Sequence, residues 1–174
     1  MTHPTDTPDA ASPSETKPVI LLVDDDEQVL AAFGRDVRKR YRKDFRILSS
    51  DSPEEALETL TELGRRGTPI AMVIADQRMP GMTGVEACML LKEDEDTKNI
   101  PVIFVTSMDD KHNESVGFSV GAVDYINKPP SPEIVMARVK VHLQNNQLRR
   151  FVEAVGAGEL EGDTAKEKAA KLLK

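Results

Sequence analysis

The chain has 174 residues, 39% of them hydrophobic, a size and apolar content that suit one packed domain with tails and leave two full domains crowded. A formal net charge of -7, no Trp, two Tyr and five Phe argue against a nucleic-acid surface, which needs positive potential and stacking platforms. No apolar run approaches the roughly 20 residues that span a bilayer, and MTHPTDTPDAASPSETKP lacks the basic start and apolar stretch of a signal peptide, so the expectation is a cytoplasmic protein with no membrane partner.

Residues 1–17 are rich in Pro, Thr, Ser and Asp, and predict a disordered tail that cannot repay the entropy of ordering. From Pro18 short apolar runs alternate with longer amphipathic stretches. Val19 to Val23 is continuous and apolar, the mark of a strand buried on both faces, and further runs follow at Phe45 to Leu48, Ala71 to Ala75, Val102 to Val105 and Val123 to Ile126. After the first strand, Val29, Phe33, Val37 and Tyr41 recur every four residues, one stripe on a helix. The cations Arg38 to Lys43 sit at its expected C-terminus, where they complement the helix dipole. Ser52-Pro53-Glu54-Glu55 supplies an N-cap, a first-turn proline and a capping-box glutamate for a second helix with Leu57, Leu60 and Leu63. Thr83 to Glu86 is a second capping box, ahead of Ala87, Leu90 and Leu91, and Cys88 on that segment reads as a packing residue. A weaker helix is expected near Asp110 to Val120. Ser131-Pro132-Glu133 opens a last one carrying Val135, Val139 and Leu143.

Strand and helix alternating five times predicts an α/β domain over residues 18–145: a five-stranded, doubly wound parallel sheet with helices on both faces. Residues 146–174 read as a helical extension or linker. Val141, Leu148 and Val155 are seven apart, so the last helix is expected to run on as a short coiled-coil stalk that Gly156-Ala157-Gly158 interrupts.

In a sheet of this kind ligands bind outside the carboxyl ends of the strands. The strands end in Asp24-Asp25-Asp26-Glu27, in Asp76, in Thr106-Ser107 and in Asn127-Lys128-Pro129. Carboxylates brought together from two strands repel, and either take up a proton or recruit a cation. An all-oxygen set suits Mg²⁺, and the absence of a His or Cys cluster disfavours zinc. His3, His112 and His142 are scattered and read as surface residues.

Four segments carry a resemblance. Leu21-Leu22-Val23-Asp24-Asp25, Asp76 to Gly84 (DQRMPGMTG), Val105-Thr106-Ser107 and Lys128-Pro129 resemble, in order, the four signatures of response-regulator receivers of two-component signalling systems. The resemblance implies a flavodoxin-like strand order 2-1-3-4-5 and a phosphorylation-dependent switch that catalyses only its own phosphorylation and dephosphorylation. It implies that Asp76 accepts a phosphoryl group from a sensor histidine kinase or phosphotransfer protein. Asp25 and Asp76 would bind Mg²⁺ directly, Asp24 through water, and Arg78 through its backbone carbonyl. Thr106 would hydrogen-bond the phosphoryl oxygen and Lys128 pair with it. Tyr125 would rotate inward when Thr106 moves, remodelling the surface seen by a downstream output protein or domain or by a second copy in a homodimer. The stretch Val123 to Leu143 also resembles receivers fused to cyclic-di-nucleotide signalling enzymes or oxidoreductases. Residues 150–174, however, hold no nucleophile or metal cluster.

Overall fold

The computed structural model describes residues 17–107, 117–129 and 131–172. Most of the expected N-terminal tail, the larger part of the helix expected near Asp110, and His3, His112 and Pro130 lie outside these residues. The elements run β1 (Val19–Val23), α1 (Glu27–Tyr41), β2 (Arg46–Ser50), α2 (Pro53–Arg65), β3 (Ile70–Asp76), α3 (Gly84–Glu93), β4 (Val102–Thr106), β5 (Asp124–Asn127), α4 (Pro132–Gly156) and α5 (Gly162–Leu172). The strands form one parallel sheet in the order β2-β1-β3-β4-β5. This is the doubly wound, flavodoxin-like arrangement expected of the sequence.

Strand alternation explains how helices cover both faces. On one face Val19, Leu21 and Val23 of β1 pack with Val73 and Ala75, Phe104, and Ala56, Leu60, Cys88 and Leu91 of α2 and α3. On the other, Ile20 and Leu22 pack with Met72 and Ile74, Ile103, and Val37, Val135, Val139 and Leu143 of α1 and α4. Every residue of β1, β3 and β4 is buried, which is why these strands read as unbroken apolar runs. β2 is one of the two edge strands and is half open to solvent.

The caps set where the helices begin. Asp26 caps α1, its carboxylate accepting from the amides of Gln28 and Val29. At α2 the Ser52 hydroxyl accepts from the Glu55 amide, but the Glu55 carboxylate reaches past the cap to the Ser50 hydroxyl and the Asp51 amide. The reciprocal box closes only at α3, between Thr83 and Glu86. Ser131 precedes α4 without a side-chain capping bond, its hydroxyl instead donating to Glu133. Among the described residues no helix is long and apolar enough to cross a membrane.

α4 is longer than the rest and continues unbroken through residue 156, where the predicted glycine interruption falls. Asn146 fastens its middle to the sheet: the buried side-chain amide donates to the Ala71 carbonyl at 3.1 Å and its oxygen accepts from Arg149 at 2.9 Å. The Asn146→Ala variant leaves the Ala71 carbonyl short of this partner in a buried place. It should lose about 1–3 kcal/mol of unfolding free energy in urea titrations.

Candidate functional site

The carboxyl ends of β1, β3 and β5 bring four charged side chains together. Asp24 and Asp25 follow β1, Asp76 closes β3 and Lys128 follows β5. The Lys128 ammonium donates to Asp24 Oδ2 at 2.9 Å and to Asp76 Oδ2 at 2.8 Å. Asp24, Asp25 and Asp76 each offer an oxygen such that all three lie within 4.8 Å of one another. Asp24 and Asp76 are buried and Asp25 is exposed, so the group opens to solvent through Asp25.

Backbone contacts fix each member. The Asp24 Oδ1 accepts from the Asp26 amide at 3.0 Å, while Asp26 turns outward to cap α1. Asp76 Oδ1 accepts from the Arg78 amide at 3.3 Å, so both carboxylate oxygens of Asp76 are held. Lys128 is tied down through its own amide, which donates to the Thr106 carbonyl at 2.7 Å, and the bond to Pro129 is cis. Thr106 is buried at the end of β4, on the sheet face it shares with Phe104.

Three carboxylates facing one ammonium leave the group electron-rich. Burial lifts the Asp76 carboxyl above its ordinary range; the hydrogen bond and charge of Lys128 pull it down without cancelling the rise, and the neighbouring Asp24 charge adds to it. For Lys128 burial works against the charge, yet the bonds to Asp76 and Asp24 outweigh it and hold the ammonium above its usual range. A lysine that keeps its proton between acids that resist sharing one space marks a place where a further cation would relieve repulsion. Among the described residues this is the one cluster of three metal-ligating side chains, and its donors are all oxygens. Such donors fit a hard divalent ion such as Mg²⁺ and give soft metals nothing to prefer.

Of the residues read from the sequence, Asp24, Asp25, Asp76 and Lys128 therefore meet directly. Arg78 touches the group through its backbone amide, and Thr106 adjoins it through the Lys128 backbone. Tyr125 lies apart from the charges. Its ring is buried against Phe104, with centroids 5.6 Å apart, and meets Phe118 edge-on at 4.8 Å. Sequence reasoning missed the reason the ring fits there: a Cβ on Gly117 would overlap the tyrosine hydroxyl oxygen, so a glycine makes the room. It also missed the partner of His142, which is half-buried and not a free surface side chain. That ring is largely covered and Nε2 lies 2.8 Å from Asp124 Oδ2, in a cluster that also includes Arg138. The acidic partner sits eighteen residues upstream on β5, beyond any local pattern. Cys88 is buried, and burial pushes its thiol above the usual range, in keeping with a packing role.

A family model described as the response regulator receiver domain matches residues 20–140. A protein of Vibrio cholerae named as a probable cyclic di-GMP phosphodiesterase is 38% identical over 128 residues, covering 74% of this chain and 27% of the relative. The transcriptional regulatory protein YvrH of Bacillus subtilis is 35% identical over 126 residues, covering 72% of this chain and 48% of YvrH. The chain thus spans less than half the length of these two curated relatives. Among solved structures, a putative response regulator from Chloroflexus aurantiacus superposes with a TM-score of 0.64 at 30% identity, covering 73% of this chain and 98% of that one.

One backbone contact beneath the acids sets a limit on substitution. Gly84, the first residue of α3, donates its amide to the Gln77 carbonyl, and a Cβ there would collide with the Asp76 carbonyl oxygen. Backbone cannot swing aside as a side chain can. The Gly84→Ala variant should lose about 1–3 kcal/mol in urea unfolding, the usual cost of overpacking, and shift the NMR amide signals of Asp76, Gln77 and Arg78. Unchanged signals at those three positions would contradict the close approach.

Proposed function

The chain belongs to the response regulator receiver domain family of two-component signalling, and from that premise we propose that Asp76 is its phosphoacceptor in a Mg²⁺-dependent reaction. What supports this is a single contact: the Lys128 ammonium lies 2.8 Å from an oxygen of Asp76 within a cluster of three carboxylates. The donor is a phosphohistidine on a sensor histidine kinase or a phosphotransfer protein.

An Asp76 carboxylate oxygen attacks phosphorus. The phosphorus–nitrogen bond of the donor breaks, the imidazole leaves with the electron pair, and an acyl phosphate remains on Asp76. Charge on the transferred oxygens is met by the Lys128 ammonium and the Thr106 hydroxyl. The Asp25 and Asp76 carboxylates and the Arg78 carbonyl would hold Mg²⁺, with Asp24 acting through water. Bound there, the ion would neutralise phosphoryl charge and offset the repulsion among the acids. The protein needs no external substrate beyond the donor, so we read it as a switch that catalyses only its own phosphorylation and dephosphorylation in the cytoplasm.

Signal leaves the site along β4 and β5. Thr106 and Phe104 share one face of β4, and Tyr125 packs against Phe104 on that face. A shift of the Thr106 hydroxyl towards phosphate changes the space over Phe104, and Tyr125 with Phe118 re-forms the surface read by a downstream output protein or domain. Phosphate can bias this equilibrium only by bonding Thr106 better in one state than in the other.

Two measurements test the reading. With Mg²⁺ and a small acyl-phosphate donor, intact mass should rise by one phosphoryl group; chelation or Asp76→Asn should abolish the gain, and an adduct surviving on Asp76→Asn would remove Asp76 from the role. The Thr106→Ala variant should still be phosphorylated. Its hydrogen exchange over residues 118–127, altered by the donor in the parent protein, should stay as in the unmodified state. An equal response in both proteins would separate Thr106 from transmission.

A further inference from the structure

Among the described residues nine large apolar side chains are exposed, and five of them lie on α4: Ile134, Val141, Leu148, Val152 and Val155, each between 42% and 60% accessible. The opposite side of the helix is already covered. Val135, Val139, Leu143 and Asn146 are buried against the sheet. The exposed set is ordered. Ile134, Val141, Leu148 and Val155 stand seven residues apart, and Arg138, Asn145 and Val152 fall between them, so the steps from Ile134 to Val155 alternate four and three. A strict period of 3.5 keeps one stripe facing a partner only when that partner is another helix wound on the same repeat.

We infer that the stripe from Val141 to Val155 is the seam of a parallel, in-register coiled coil between two copies of this chain. Three observations select a second copy over a different partner. In register, every apolar member of the seam meets its own counterpart, Val141 on Val141, Leu148 on Leu148, Val152 on Val152 and Val155 on Val155. The one polar member, exposed Asn145, is at the position where an asparagine pairs with its own equivalent and specifies register and a two-stranded state. The flanks carry no like charges opposite one another. Gln144 faces Arg149 of the other copy, and Arg149 is already paired with Glu153 at 2.7 Å. Further towards the N-terminus Arg138 is drawn away to Asp124, which ends the seam before Ile134.

The seam begins at Val141, just past residue 140, where the family match stops. It runs from the last packed turns of α4 into the helical extension, at the end of the sheet where Asn146 bonds to Ala71, away from the acidic site. About four helical turns is less contact than the roughly 800 Å² each partner gives to a standard stable interface. The dimer should accordingly be weak and concentration-dependent, and it should form without phosphate.

Sedimentation equilibrium on the full chain, unphosphorylated, should follow a reversible monomer–dimer equilibrium, and the double variant Leu148→Glu/Val152→Glu should weaken it at least tenfold with an unchanged circular dichroism spectrum. Geometry is read separately by oxidation. Leu148→Cys should give a disulfide-linked dimer, whereas Gln147→Cys, exposed but off the stripe, should not; Cys88 is buried and adds little background. A monomer at every concentration, a dimer indifferent to the two glutamates, or equal cross-linking at positions 147 and 148 would overturn the assignment. A dimer that resists cross-linking through Leu148→Cys would exclude the parallel register.

Discussion

A lysine ammonium held between two buried carboxylates organises the end of the sheet. Lys128 arrives from β5, Asp24 from β1 and Asp76 from β3, and no two of these are neighbours in sequence. Left alone, the acids would repel in a poorly solvated place, and the strand ends would have reason to splay. The ammonium reverses that sign for two of them and leaves the third, Asp25, facing solvent. The site is therefore balanced only in part. That residual negative charge gives a divalent ion and a phosphoryl group a reason to bind together: each supplies what the other lacks.

Packing around the site has little slack, and it fails in different ways at different distances. Beneath Asp76 the turn into α3 brings backbone against backbone, with only a glycine fitting at position 84. Over the far end of β4 the constraint is softer, because Tyr125 is surrounded by side chains, Phe104 below and Phe118 beside, with Gly117 conceding space to its hydroxyl. A rigid floor lies under Asp76 and an adaptable aromatic layer lies beyond it, a division that suits the proposed switch. The first keeps the Asp76 carboxylate in place, with both its oxygens held. The second can exchange arrangements at small cost, since a ring that turns away from one aromatic neighbour can stack on or meet the edge of the next.

Much of this is legible in the sequence. The continuous apolar runs of β1, β3 and β4 announced strands buried on both faces because both faces are covered, and the charged residues stood out by coming directly after those runs. Thr83 and Glu86 closed the box that their spacing described. What stayed hidden depends on distance in sequence. Glu55 looked like the same kind of capping residue but found a better partner in the Ser50 hydroxyl, which only the fold places within 2.6 Å. His142 looked like a surface residue because nothing local pairs with it, and the Asp124 carboxylate that covers it comes from another element. Gly117 carried no signal and Gly84 stood only as the last letter of a motif, since a missing Cβ declares itself only once the neighbour that needs its space is in view.

α4 shows how one element can serve two environments. Its inner side repeats at the period of an ordinary helix packed on a sheet, and its outer side repeats at seven. The inner stripe runs from Val135 to Asn146 and the outer one from Val141 to Val155, and over their overlap the two stay apart because 3.6 and 3.5 residues per turn drift by only about 20° per heptad. A single helix can thus lie against its own domain and offer a seam on the other side without bending. The seam lies on the same helix whose first turns pack on the sheet through Val135 and Val139, so its orientation is fixed by the domain core. The two proposed roles use different residues: the seam takes side chains from Val141 to Val155, and the acids with Lys128 stand at the opposite end of the sheet from Asn146, which bonds to Ala71 at the start of β3.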